Sequence, residues 1–238
     1  MKGQEWYQDE PIAEAYESKR FSGGGKLIDQ RERQAVLDAL QPVASKRILE
    51  IACGTGRFSI MLAEHGADVT GIDISTAMLS RSRAKSNATA VDTIDFIRGD
   101  AARLPFPDNS FDAVFAVRFF HLTDTPSRYL REMRRVTKDR VFFDTFNARS
   151  ARTVYNWLLP MGSHLYTEKT ISHLLNRAQL ELISVETDFV APYGIYRSLP
   201  DLLANPLRSV DERFGQTSLG QRLATVTYWT TRTTTTHD

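Results

Sequence analysis

One cysteine, Cys53, in 238 residues excludes an intrachain disulfide and leaves no basis for a cysteine-built metal site. An excess of either charge is also missing. Thirty basic against 29 acidic side chains give a net charge of +1, so, local patches aside, nothing draws the whole chain to nucleic acid or to an anionic membrane. No apolar run approaches the ~18 residues of a membrane span. Residues 1–10 carry acids and lack the apolar stretch of a secretory leader. Internal repeats are absent. These gaps predict a soluble cytoplasmic protein, monomer or homodimer, with no metal, no nucleic-acid partner and a small-molecule substrate. The composition that remains, 42% hydrophobic and 25% charged, is enough for one generous α/β domain.

Residues 1–45 read as amphipathic helices. Ile12, Ala13, Tyr16 and Arg20 share one face, Gly23-Gly24-Gly25 breaks the run, and Leu27, Ile28, Val36, Leu37 and Leu40 mark a second helix that ends near Pro42. From Lys46 onward strands and helices alternate: strand 47–52, helix 56–65, strand 68–72, helix 75–87, strand 93–97, strand 111–117, helix 124–137 and strand 140–146. Such alternation predicts a parallel sheet with helices on both faces, and ligands gather at the carboxyl ends of its strands. Beyond it, helices are expected at 153–159 and 168–178 and a strand at 181–188. Residues 191–220, with Pro192, Pro200 and Pro206, read as an insertion holding a short helix or two. Residues 223–232 read as a last, antiparallel strand. The expected organisation is an N-terminal helical cap over 1–45 and a domain over 46–238, with the insertion at about 190–222 covering the site.

The chemistry concentrates at strand ends. Glu50 precedes the turn Cys53-Gly54-Thr55-Gly56, where two glycines allow a sharp bend and a close approach of main chain to a ligand. A dinucleotide fingerprint needs a third glycine where Ser59 stands, so the turn alone supports only some nucleotide-like ligand. Asp73 ends the next strand and is placed either to accept from ribose hydroxyls or to favour the following helix N-terminus. Asp100, past the third strand, is either a ligand acceptor or an exposed turn aspartate. Cys53 reads as a small packing residue. Arg128, Arg131, Arg134, Arg135 and Lys138 read as a solvated helix face.

Residues Ile48-Leu49-Glu50-Ile51-Ala52-Cys53-Gly54-Thr55-Gly56, then Gly71-Ile72-Asp73-Ile74-Ser75, then Gly99-Asp100-Ala101 with Leu104-Pro105-Phe106-Pro107-Asp108 and Ser110-Phe111-Asp112, resemble in order and spacing the motifs of the class I S-adenosylmethionine-dependent methyltransferases. Within that class they are similar to the type 11 subgroup, which includes ubiquinone and menaquinone methyltransferases. The resemblance covers about residues 46–146. It implies a doubly wound, Rossmann-like, seven-stranded, mostly parallel sheet with helices on both faces. It also implies S-adenosylmethionine as cofactor. Glu50 would orient the turn toward the methionine amine, and Ala52, Gly54 and Gly56 would lie against the methionine and ribose. Asp73 would take the ribose diol, Ile74 would pack on adenine, and Asp100 and Ala101 would read its edge. Val117 and Arg118 would flank the transferring methyl, and Tyr16, Arg20 or Lys26 would close over the cofactor.

The reaction expected is in-line displacement onto a small or lipid-like organic acceptor. The protein aligns the partners and supplies a base only if the acceptor must lose a proton. His121, after the fourth strand, is the candidate base; the competing reading is a structural histidine near a helix start. Phe119, Phe120, Trp157, Tyr193 and Tyr196, with His164 and Tyr166, are the candidates for the acceptor pocket, although His164, Tyr166, Tyr193 and Tyr196 each read individually rather as packing. Three other classes stay open: a non-enzymatic regulatory protein that binds the cofactor, an RNA or protein methyltransferase, and a nicotinamide-dependent oxidoreductase.

Overall fold

The computed structural model describes residues 23–89, 91–158 and 163–234. Tyr16, Arg20 and the first expected helix lie outside them. The described chain runs α1 (Gly25–Leu40), β1 (Arg47–Ile51), α2 (Arg57–Glu64), β2 (Asp68–Asp73), α3 (Thr76–Asn87), β3 (Ile94–Arg98), β4 (Phe111–Ala116) and a 3-10 turn at Phe120–Leu122. It continues through α4 (Pro126–Val136), β5 (Thr137–Phe146), α5 (Arg152–Leu158), α6 (Glu168–Ala178), β6 (Leu180–Asp188), α7 (Tyr193–Ser198), α8 (Asp201–Gly215), α9 (Ser218–Leu223) and β7 (Val226–Thr233).

The strands form one seven-stranded sheet in the order β3-β2-β1-β4-β5-β7-β6. Strands β1 to β5 are parallel, and β7 lies antiparallel between β5 and β6. The order reverses between β1 and β4, so the crevice at their carboxyl ends is where a doubly wound sheet accepts a ligand.

Side-chain alternation along the central strands feeds two cores. Ile48, Phe115, Phe142 and Phe146 join α1 and α2 on one face through Val36, Leu40, Phe58 and Leu62. Leu49, Val114, Val141 and Phe143 join α4 and α6 on the other through Leu130, Met133, Ile171 and Leu175. Helix α1 thus shares the core of the sheet. Each large apolar side chain so buried contributes roughly 1.5–3 kcal/mol.

Several boundaries differ from those read in the sequence. Helix α4 starts at Pro126, with Thr125 rather than Asp124 before it, and Thr137 opens β5 without an intervening loop. The Arg135 guanidinium explains the tight join: it donates to the carbonyls of Leu104 (3.0 Å) and Phe106 (2.7 Å) and to Glu132, tying the helix end to the Leu-Pro-Phe-Pro loop. That arginine, expected on a solvated face, is a structural tie. The 191–220 stretch folds into three helices, and Leu223, expected in the last strand, closes α9. Leu159, the expected end of the α5 helix, lies outside the described residues.

Candidate functional site

A cavity opens at the carboxyl ends of β1, β2 and β4. Its walls include Ala52, Gly54, Asp73, Ile74, Asp100, Ala101, Val117 and Arg118, all named from the sequence, together with Ile72, Met78, Gly99, Phe119, Leu122 and Tyr129. The floor is the turn after β1, which takes positive φ at Ala52 (53°), Gly54 (56°) and Gly56 (74°). At Gly54 a methyl group would meet no atom within 4 Å, so the turn presents bare main chain to open space. Gly56 serves differently. A methyl there would come within 2.7 Å of Phe96 and 3.0 Å of Ser82, so it lets the turn pack against β3 and α3, and it does not line the cavity.

Asp73 organises the opposite wall. Its Oδ2 accepts from the Gly54 amide at 2.8 Å and its Oδ1 from the Ser75 amide at 2.8 Å. Burial raises its pKa, and the amides of Ser75, Gly54 and Ile74 oppose the shift. A carboxylate has about four lone-pair sites, so two such bonds leave capacity for hydroxyls of a ligand. Ser75 caps α3 through Met78, which sets the apolar floor beside Ile74. Asp100 is exposed and accepts from the Ala102 amide at 2.8 Å, so it is both a turn aspartate and part of the wall.

Glu50 does not reach the cavity. It is buried on the α2 side of β1 and accepts from Ser59 Oγ at 2.5 Å. Burial pushes its carboxyl up to about 8, against the pull of the Ser59 hydroxyl and Arg57. Ser59, which replaces the third glycine of a dinucleotide fingerprint, is thus the partner of that acid.

Arg118 closes the far wall with φ 61°. Its amide donates to Asp144 Oδ1 at 2.6 Å, and its guanidinium donates to Glu32 at 3.0 Å and lies over Tyr193 (4.5 Å) and Phe146 (4.9 Å). Glu32, 1% exposed, also takes Arg57 at 2.5 Å. Sequence reasoning missed Glu32 because its partners come from other elements. It also missed Tyr129, whose ring meets Phe119 edge-on at 4.9 Å. Position 129 stands four residues before Met133 on the apolar face of α4, and that spacing was the available signal.

The expected acceptor residues separate. Phe119 lines the cavity, but Phe120, Tyr193 and Tyr196 are buried in the cores and Trp157 is 81% exposed. Tyr166 donates to the Phe120 carbonyl at 2.9 Å. The His121 ring rests against Phe146 at 5.0 Å, outside the cavity wall, while its carbonyl accepts from the His164 amide at 2.9 Å. His164 Nε2 meets Asp124 Oδ1 at 2.8 Å. Cys53 is buried with its thiol pKa well raised, a packing residue. Among the described residues no helix is long and apolar enough to cross a membrane.

Residues 49–143 match the family model described as a methyltransferase domain. The chain is 42% identical over 109 residues to the demethylmenaquinone methyltransferase of Renibacterium salmoninarum, covering 46% of this chain and 44% of that one. It is 32% identical over 190 residues to the fatty-acid O-methyltransferase of Mycolicibacterium smegmatis, covering 76% and 65%. The chain thus spans about half the length of the demethylmenaquinone methyltransferases it matches. Its fold is shared by the magnesium protoporphyrin IX methyltransferase of Synechocystis PCC 6803, with a TM-score of 0.72 at 15% identity, over 97% of this chain and 98% of that one.

Proposed function

From the membership of this chain in the class I S-adenosylmethionine-dependent methyltransferases, carried by residues 49–143, we propose that it transfers a methyl group to a small or lipid-like organic acceptor. The observation that carries the reading is the pairing of the Asp73 carboxylate with open space over Gly54 across one cavity. Those two features suit a ribose and the chain joined to it.

When bound, S-adenosylmethionine supplies a methyl group already activated on a sulfonium centre. The remaining work belongs to this chain. Asp73 would accept from the ribose hydroxyls through its unused lone pairs, and the β1–α2 turn offers main chain without side-chain obstruction. Ile74, Met78, Phe119 and Tyr129 form apolar walls that would exclude water and hold a flat ring, with Asp100 and Ala101 placed to meet its edge. Glu50, locked to Ser59, fixes the path of the chain into the turn from beneath. Val117 and Arg118, which line the cavity at the end of β4, would flank the methyl-bearing end of the cofactor.

An orienting site of this kind lowers the barrier mainly by alignment, worth up to roughly 7–11 kcal/mol. The names of the relatives, which act on demethylmenaquinone and on fatty acids, support an acceptor with an apolar body. For an acceptor that must lose a proton, His121 is the proposed base: its ring stands outside the cofactor cavity, against Phe146, on the segment between cavity-lining Phe119 and Leu122. Incubation with S-adenosylmethionine and separate quinol and long-chain carboxylic acid acceptors tests the reading. Formation of S-adenosylhomocysteine that depends on one acceptor supports it, and cofactor binding without turnover of any acceptor favours a regulatory protein.

A further inference from the structure

We propose that helix α8 is a docking surface for an anionic lipid bilayer, with its outer face lying in the headgroup region. The surface is independent of which acceptor the methyl group reaches.

Helix α8 spends little of itself on the core. Among its 15 residues only Ala204 and Asp211 are buried. On a 3.6-residue helix Leu202, Pro206, Val210 and Phe214 form one ridge, each four residues after the last, and Leu203 lies beside it. All five are exposed, Leu202 at 84%, Val210 at 64% and Leu203 at 54%. A soluble helix turns such a ridge inward; this one turns it out. The flanking helices extend it, with Ile195 on α7 46% exposed and Leu219 on α9 56% exposed.

The charges select the occupant. The acids of α8 are all engaged: Asp201 with Lys26 at 3.5 Å, Glu212 with Arg208 at 2.8 Å, and Asp211 with the amides of Val190 and Ala191. Arg213, within the apolar stripe, and Arg222 on α9 have no ion pair among the described residues. A bilayer accommodates this arrangement, because the apolar ridge enters the acyl boundary while arginine side chains extend to lipid phosphates. A second copy of the chain fits it poorly. A twofold contact would bury both Arg213 side chains against a stripe that holds no acid. Helix α7, which carries Ile195 of this surface, also places the buried Tyr193 ring against the Arg118 guanidinium that lines the cavity.

Co-sedimentation of the full chain with vesicles of equal phosphatidylglycerol and phosphatidylcholine, against phosphatidylcholine alone, tests the proposal. The protein is expected to pellet with the anionic vesicles and to be released in part by raised salt. The double variant Leu202→Ser/Val210→Ser should bind about tenfold less, with its melting temperature and S-adenosylhomocysteine affinity unchanged. Arg213→Gln should weaken binding to the anionic vesicles alone. No pelleting of the wild type, or equal pelleting of the double variant, overturns it. So does a dimer in sedimentation velocity that the double variant converts to monomer, which would make the second copy the occupant.

Discussion

The Gly54 amide donates to Asp73 Oδ2 at 2.8 Å and so ties the turn after β1 to the end of β2 across the cavity floor. The two residues are 19 apart in sequence; one follows β1 and the other ends β2, its parallel neighbour. The carboxylate therefore has two duties: it fixes the shape of the turn and it presents acceptor capacity to the cavity. Loss of either side of this bond should be felt first in ligand affinity.

Gly54→Ala separates the duties. Its φ of +56° is a left-handed conformation that costs an L-residue about 1–2 kcal/mol, and its methyl would project into the cavity. Thermal melting should show that modest loss, while calorimetry with S-adenosylhomocysteine should show at least ~tenfold weaker binding, about 1.4 kcal/mol. A melt that changes with affinity untouched would remove the turn from the site.

Glu32 is the buried carboxylate shared by two half-buried arginines. Glu32→Ala removes that shared partner, although Arg57 keeps its pair with Asp29, and breaking a buried pair from one side costs up to about 3–5 kcal/mol. Urea unfolding should show a loss of that order, and cofactor affinity should fall with it because Arg118 lines the cavity. Glu32→Gln should recover part of the stability but not the charge balance.

Glu50 predicts a pH effect of known sign. Its carboxyl is raised from 4.5 to about 8 by burial, so between those values the folded chain holds a proton that the unfolded chain has released. The contribution of this residue to stability therefore falls as pH rises from 4.5 toward 8 and is level above that. Glu50→Gln keeps an acceptor for Ser59 and cannot ionise. Melting temperatures of the variant should decline less from pH 5 to pH 8 than those of the wild type, and parallel curves would show that Glu50 is ionised in the fold.

His121 is tested by its pH profile. If it removes the proton of the acceptor, His121→Ala should lower kcat by roughly 10²-fold or more and flatten the acid limb of the kcat–pH curve. The ring packing on Phe146 predicts a separate, smaller loss of stability. An unchanged kcat with a lowered melting temperature would assign the residue to packing alone.

The sequence made the cavity floor legible because that chemistry is local. The turn from Ala52 to Gly56 and the acid that ends β2 sit in short ordered motifs, and parallel pairing of β1 with β2 brings them together. Glu32 was hidden because its arginine partners stand 25 and 86 residues away. Tyr193 and Tyr196 read either as pocket residues or, each taken singly, as packing, and sequence alone does not say which way their rings turn. Helix α7 drives both rings into the core beside Phe189. In α8 the four-residue spacing of Leu202, Pro206, Val210 and Phe214 is the pattern of a buried face. The burial of Ala204 and Asp211 instead reveals that this face points out.

The most direct test of the central claim is calorimetric titration of the wild type and Asp73→Ala with S-adenosylhomocysteine, with NAD as the rival ligand. The account predicts one site for S-adenosylhomocysteine, at least ~tenfold weaker binding in the variant, and no binding of NAD. Binding of NAD without S-adenosylhomocysteine, or equal S-adenosylhomocysteine affinity in Asp73→Ala, would contradict it.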